Sequence, residues 1–503
     1  MSEGIVATLL GLIVVLGVVG PAGAVAGVSA ESGPVGTVST DWTDGTETTE
    51  TTGATEITSC TTVTESGVYV LADDVTNASP TRPRTGLGAC IAIRADDVTL
   101  RGGGHTVAAD ERGGRPGVVG VLVSARTRAG VATLVRGATR PGRQERRSNV
   151  TVTNLSTTRW GAGVAVLGTT DATLRNVSAV ENLGDGVFVE NSPGVELLGG
   201  TVRASNTGLF LRNAPDARVA GLNLTDNLAG VSVRNSDGVT VEGVRVAGSS
   251  QYGLGVFASA NATIADSTAA GNGFADVVLS RSDDAALRNL TIARESGGTG
   301  GGDVRPRSRR VGIYLNDSDD AALTRVSVAD APGTAIYAAR DSTAAGERVT
   351  LGDATLSFET RDVALDPATD APPLPTERQV VGVPLRAVPT DDDAHLALSV
   401  GYDDAAVDRA SATEDALSLW RFDAGEGWRR VESVADAERN VASAEFGDLS
   451  RNGTVLALVG EGLAEAGNAT GRSNYGSVAD CSAPASRYSC WTATTSVESS
   501  QSA

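Results

Sequence analysis

The chain has 503 residues and a formal net charge of −20, with 61 acidic residues against 41 basic ones, all of them arginine. This balance excludes nucleic acid as the main partner, because phosphate binding needs a basic footprint. The length exceeds what one ordinary globular core organises, so the chain must either grow in one dimension or divide into domains.

Residues 5–19, IVATLLGLIVVLGVV, form an apolar run followed by Gly20-Pro21 and the small-residue stretch Ala24-Val25-Ala26. This pattern predicts an export signal over residues 1–26. Only an acid precedes the run, in Met1-Ser2-Glu3-Gly4, so an uncleaved anchor is the alternative and the one expected route to a membrane. Residues 27–56 are rich in Ser, Thr, Gly and Glu and are expected as a disordered stalk, with order beginning at Ile57.

The four cysteines fall in two local pairs, Cys60 with Cys90 and Cys481 with Cys490. In an exported chain an even count reads first as disulfides, and of the three connectivities the local one closes the shortest loops. There is no CxxC, and the chain holds two histidines, His105 and His395, and one methionine, Met1. No metal site and no cofactor are therefore expected. Ten Asn-x-Ser/Thr sequons, among them Asn149, Asn176, Asn223 and Asn289, fit an exported, glycosylated surface.

From Gly163 a segment repeats: GVAVLGTTDATLRNVSAVENLGD, GVFVENSPGVELLGGTVRASNT, GLFLRNAPDARVAGLNLTDNLA and onward. The leading glycines, Gly163, Gly186, Gly208, Gly230 and Gly253, lie 22 or 23 residues apart. Such a fixed period marks a solenoid whose units bury their apolar faces only by stacking. Alternation places Val187 and Val189, Leu209 and Leu211, Val231 and Val233, and Ile313 and Leu315 inward, with Phe188, Phe210, Ser232 and Tyr314 outward. A second strand adds Val195 and Leu197, Val219, and Val239 and Val241 to the interior. Asn191, Asn213 and Asn235 recur at one place in three coils and are expected to bond along the axis as an amide ladder. The spacing widens to 43 between Gly120 and Gly163, and to 36 between Asp276, which takes the glycine position, and Gly312. Insertions in solenoids are loops, where function concentrates.

The expectation is an all-β chain. Its main domain, residues 57–365, is a right-handed parallel β-helix of about ten coils of 22–23 residues. Ser66-Gly67-Val68-Tyr69-Val70-Leu71-Ala72-Asp73-Asp74, then Cys90-Ile91-Ala92-Ile93 and Gly102-Gly103-Gly104-His105-Thr106-Val107, resembles the opening of NosD-like β-helix proteins of the pectin-lyase-like, carbohydrate-associated repeat group. The resemblance covers roughly residues 57–358. It implies the fold, and with it either a carbohydrate-associated role or a periplasmic copper-binding and maturation role. The lysine-free, acidic, Ala- and Val-rich composition is similar to that of proteins from salt-loving archaea, whose dense carboxylates keep the fold hydrated.

The Pro-rich segment 366–375, DPATDAPPLP, reads as a stiff linker. Residues 376–461 carry alternating strands and turn signals and are expected as a small sandwich-like β domain, with Trp420 and Trp428 as its large core residues. The tail, 462–503, contains no apolar run and is expected to be disordered.

Candidate binding residues come first from the insertion at 124–148, where Arg126, Arg128, Arg136, Arg140, Arg143, Arg146 and Arg147 stand against the single acid Glu145. Guanidinium forks suit the carboxylates or sulfates of an acidic glycan. The plainer reading is that they pair with the protein's own aspartates. A second basic stretch, 294–310, holds Arg294, Arg305, Arg307, Arg309 and Arg310. Outward Phe188, Phe210 and Tyr314 can stack on sugar rings, although ladder stacking or cover from the C-terminal domain accounts for them as well. The pairs Asp96-Asp97, Asp283-Asp284 and Asp319-Asp320 have the makings of a calcium site or a glycosidase acid and base, but their SDDAAL-like contexts favour turn chemistry. His105 in GGGHTV reads as structural. No catalytic residue is assigned.

The sequence thus favours an exported, extracellular or cell-surface protein with a carbohydrate-binding or structural role towards a cell-envelope glycan. A lyase or hydrolase of acidic polysaccharide is second. Copper maturation is third, because copper wants imidazole, thiolate or thioether ligands, which this chain hardly offers.

Overall fold

In the computed structural model the described residues are 53–78, 87–110, 116–124, 147–293, 310–329, 333–375 and 378–461. The export signal, the stalk as far as residue 52, the arginines of both insertions except Arg147 and Arg310, Cys481, Cys490 and the tail lie outside them.

The alternating repeats become two long sheets. Sheet B stacks eleven parallel strands, one per coil, from Thr61–Val63 through Asp185–Glu190, Thr207–Arg212, Ala229–Arg234 and Tyr252–Phe257 to Thr334–Ala339. Sheet A takes the rest of each coil, as one bent strand such as Thr169–Val180 or as two short ones such as Thr240–Glu242 and Arg245–Ala247. This is a parallel β-helix. The side chains expected inward are inward: Val187, Val189, Leu209, Leu211, Val231, Val233, Ile313 and Leu315 are at most 2% exposed and belong to one continuous core.

Each coil turns its corners through residues of positive φ, and these repeat at the coil period. One column runs Asn154, Asn176, Gly199, Gly221, Gly243, Asp266, Asn289, and another Asn149, Asp171, Gly194, Asp216, Gly238, Asn261, Asp284, Asp320. Asn, Asp and Gly tolerate the left-handed region best, so corner geometry explains their abundance. The leading glycines answer a different need: a Cβ on Gly186 would lie 2.2 Å from Val202 Cγ1 and 2.8 Å from the Gly208 carbonyl oxygen. At Gly186 the coil is closed too tightly for a side chain without rearrangement.

Inside one corner runs a ladder of serines. The backbone N–H of Ser236 donates to Ser259 Oγ, that of Ser259 to Ser282, that of Ser282 to Ser318 and that of Ser318 to Ser342. All five are fully buried, so each hydroxyl satisfies a donor that water cannot reach. The expected amide ladder is seen where Asn213 Nδ2 donates to Asn191 Oδ1 at 3.1 Å. Cys60 and Cys90 form a disulfide with Cα atoms 4.3 Å apart, joining the first two coils.

Beyond Thr334–Ala339 in sheet B and Thr343–Leu351 in sheet A the pairing turns antiparallel while both sheets continue. Sheet B adds Val363–Pro367, Arg378–Pro389, Thr454–Glu461, Ser418–Asp423 and Gly427–Arg430. Sheet A adds Ala354–Arg361, His395–Gly401, Val441–Phe446 and Val434–Asp436. The two antiparallel layers enclose Phe358, Leu398, Phe446 and Leu456, which continue the solenoid core without a break. Residues 366–375, expected as a linker, begin inside a paired strand and then cross the sheet as a strap: Trp428 Nε1 donates to the carbonyls of Pro372 and Pro373. Trp420 and Trp428, expected as core residues, form a second cluster separate from the main core, in which Trp420 is buried with Ala457 and Val459 and Trp428 and Leu374 pack partly buried against it. Alternation explains the separation, since inward Leu419 sends its neighbour Trp420 to the other face.

Candidate functional site

Because sheet B stacks its strands in register, residues of equal position form columns on its outer face. One column reads Phe188, Phe210, Ser232, Gly255, Val278, Tyr314, Tyr337. The Phe188 and Phe210 rings are stacked, with centroids 5.6 Å apart, and Tyr314 and Tyr337 form a second stack at 5.4 Å. Four strand steps, about 19 Å, separate Phe210 from Tyr314. Tyr314, expected on the same face as Phe188 and Phe210, thus belongs to a second stack. Both stacks are distinct from the interior core, and Phe188 is only 6% exposed, covered more than an open ladder would be.

The neighbouring column reads Glu190, Arg212, Arg234, Phe257. Arg212 Nη2 bonds Glu190 Oε1, and its guanidinium lies over Phe188 and Phe210. Arg234 lies over Phe210 at 5.5 Å and Phe257 at 5.0 Å, a cation–π arrangement on two rings. Its Nε donates to Ser232 Oγ, which also accepts from the Tyr252 hydroxyl. At the start of the same strand as Glu190 stands Asp185. Burial pushes its carboxyl up to about 6, against a hydrogen bond from Thr207 and the charges of Arg212 and Arg234. Asp276, where the repeat has glycine, is also pushed up to about 6 by burial, opposed by bonds from Asn272 and by Arg310.

Flat rings, guanidinium forks and a carboxyl raised by burial thus share one face over three coils. Arg212, Arg234, Phe257, Tyr337 and Asp185 were not singled out from the sequence. Their signal was there in Phe210-Leu211-Arg212 and Ser232-Val233-Arg234, because residues two apart on a strand share a face.

The other candidates lie elsewhere. Arg147 is on sheet A, its Nη1 3.0 Å from Asp96 Oδ2, so it is paired with the protein's own acid. Arg126, Arg128, Arg136, Arg140, Arg143 and Arg146 are outside the described residues. In the aspartate pairs Asp97, Asp284 and Asp320 are left-handed corners, while Asp96 accepts the Ser148 N–H and Asp283 that of Asp319. They satisfy turn backbone. His105 Nδ1 lies 3.4 Å from Asp74 Oδ1, which also accepts the Thr106 N–H. Among the sequons, the amides of Asn149, Asn176 and Asn289 donate to Asp97, Asn154 and Asp266 of adjoining coils, whereas Asn223 is exposed on a strand.

Residues 169–351 match the family model described as periplasmic copper-binding protein (NosD). No curated protein matches the sequence. Among solved structures, DFA-IIIase from Arthrobacter chlorophenolicus A6 in complex with GF2 is similar at 13% identity, 53% of this chain, 66% of that chain and a TM-score of 0.39. Dettilon tailspike protein is similar at 9% identity, 81% of this chain, 87% of that chain and a TM-score of 0.37. A double mutant of the periplasmic alginate epimerase AlgG is similar at 12% identity, 56% of this chain, 70% of that chain and a TM-score of 0.32.

Copper does not fit the residues present. The matched segment 169–351 contains no histidine, cysteine or methionine, and Cys60 and Cys90 are consumed in their disulfide. Among the described residues no three His, Cys, Asp or Glu side chains converge as a metal site. Residues 169–351 are thus a parallel β-helix segment similar to the NosD family model, without the imidazole, thiolate or thioether groups that copper wants.

Proposed function

We propose that this is an exported, carbohydrate-associated β-helix protein of the cell surface or its surroundings, and that the outer face of sheet B binds an extended glycan. The observation that carries this reading is the Phe188–Phe210 stack with the guanidinium groups of Arg212 and Arg234 laid against it. Ring faces take the apolar faces of sugars, and guanidinium forks reach their oxygens. The Cys60–Cys90 disulfide supports export, since such bonds persist in oxidising compartments. Retention on a panel of immobilised polysaccharides tests the reading. Phe210→Ala should weaken binding about tenfold or more while the fold survives, and failure of the intact chain to bind across the panel refutes it. The arginines at 126–146 enter as further glycan contacts: replacing them with serine should reduce retention on acidic polymers.

A second reading, cleavage of an acidic polysaccharide, is favoured by Asp185 alone, whose raised carboxyl suits a general acid. Its nearest strand-mate carboxylate, Glu190, is five residues on, about 16 Å along the backbone, and is tied to Arg212. Two-carboxylate hydrolysis needs the carboxyl groups within about 10 Å. Binding is therefore ranked first, and chain-shortening of uronate polymers that Asp185→Asn abolishes would reverse the order.

A further inference from the structure

On the outer face of sheet B, Arg234 is a cation left without an ion-pair contact among the described residues. Arg212 and Arg234 are register partners on adjacent strands, about 4.8 Å apart, where like charges repel. Arg212 is compensated by Glu190, whose side chain is 8% exposed. Arg234 touches no carboxylate: Nε is held by Ser232 Oγ, the guanidinium lies against Phe210 and Phe257, and among the described residues its two terminal nitrogens make no hydrogen bond. Asp185 acts on both arginines through space but spends its hydrogen bond on Thr207.

Two rings and a hydroxyl already fix this side chain, so little rotamer freedom remains to be lost on binding. Its unoccupied fork matches the two oxygens of a planar carboxylate or an edge of a sulfate. An incoming anion would also relieve the repulsion from Arg212, which Glu190 offsets on one side only.

We propose that Arg234 is an oxyanion receptor that reads the carboxylate or sulfate groups of a bound acidic glycan, with Phe210 and Phe257 flanking it. This rests on the assignment of sheet B as the glycan face, and it adds that charge on the sugar sets specificity there.

The test uses the full chain and needs no knowledge of the natural polymer. Phenylglyoxal modification is followed by mass spectrometry at Arg234, with exposed Arg175 on sheet A as control. It is run in galacturonate, methyl galacturonate ester, sulfate or chloride at equal ionic strength. Galacturonate or sulfate should slow modification of Arg234 at least fivefold without protecting Arg175. Protection by one anion alone identifies the source, and protection by both assigns the wider oxyanion class. Absence of selective protection by either overturns the receptor.

In a second arm, oligogalacturonate and dextran sulfate are compared with methyl-esterified oligogalacturonate and dextran. The native chain should prefer the acidic polymers at least tenfold. Arg234→Gln should bring the ratio of acidic to uncharged binding down to about one, whatever it does to binding of the uncharged chains, while Arg234→Lys restores only part of that ratio. Equal binding of acidic and uncharged polymers leaves the glycan face standing and removes the receptor. Protection of Arg234 by a small anion with no polymer bound does the reverse.

Discussion

Asp276 gives the sharpest quantitative test of the structure, because a carboxyl has been placed where the neighbouring coils have glycine. It is 9% exposed, and its Oδ1 accepts from both the backbone N–H and the side-chain amide of Asn272. Burial raises it from 3.8 to about 6, with the Asn272 bonds and Arg310 working the other way. The native state thus holds this proton more tightly than the unfolded chain. Stability from this group is fully present below about pH 4, falls as pH rises towards 6, and is level above that. The difference corresponds to about 3 kcal/mol. Asp276→Asn preserves the size and the acceptor oxygen and has nothing to ionise. The variant should match the native chain near pH 4 and exceed its stability by up to about 3 kcal/mol at pH 7.5. Comparing the two proteins cancels the titration of the other carboxylates. Solenoids need not unfold as one unit, so the appropriate measurement is hydrogen exchange of peptides spanning residues 272–280 at both pH values, alongside urea unfolding. Parallel pH profiles for the two proteins would refute the claim that Asp276 is buried at the cost of its charge.

Three further outcomes follow from the packing. Cys60→Ser with Cys90→Ser opens a loop with a sequence separation of 30 and should cost roughly 3 to 4 kcal/mol, seen as faster exchange confined to the first coils. Ser318→Ala removes the acceptor of the buried Ser282 N–H and should lower stability by about 1 to 3 kcal/mol in urea unfolding, whereas Ser327→Ala on the outer side of sheet A should change it by less than about 0.5 kcal/mol. Asp423 accepts from Arg421 and Thr454 inside the C-terminal sheets; burial alone would raise its carboxyl, but these bonds hold it below the usual carboxylate range. Asp423→Ala should therefore cost about 3 to 5 kcal/mol at neutral pH. The native chain should lose the Asp423 contribution as pH falls below about 4, read as a drop in thermal midpoint that the variant does not share.

The coil was legible in the sequence because its determinants are local. Alternation assigns Val187 and Phe188 to opposite faces, and the 22–23-residue spacing superposes them on Leu209 and Phe210 whatever lies far away. The paired aspartates and the corner asparagines were legible for the same reason, since a left-handed residue is demanded by its own backbone. The columns were harder to read. Tyr314 sits beside Val278 across an insertion that breaks the count, and pairing it with Phe188 required knowing how many coils intervene.

What only the tertiary structure decided is which outward side chains become partners. Arg234 is one arginine among 41 in the sequence, and its neighbours Phe210 and Phe257 come from the coils before and after it. Whether a carboxylate reaches it depends on the register of three strands at once. The same holds for Trp420, which lies outside the shared core, and for sheet B, which runs on past residue 365 where the sequence marked a boundary. Periodicity along the chain specifies a coil and its faces; charge pairing between coils depends on register, which strand hydrogen bonding sets only when the solenoid closes.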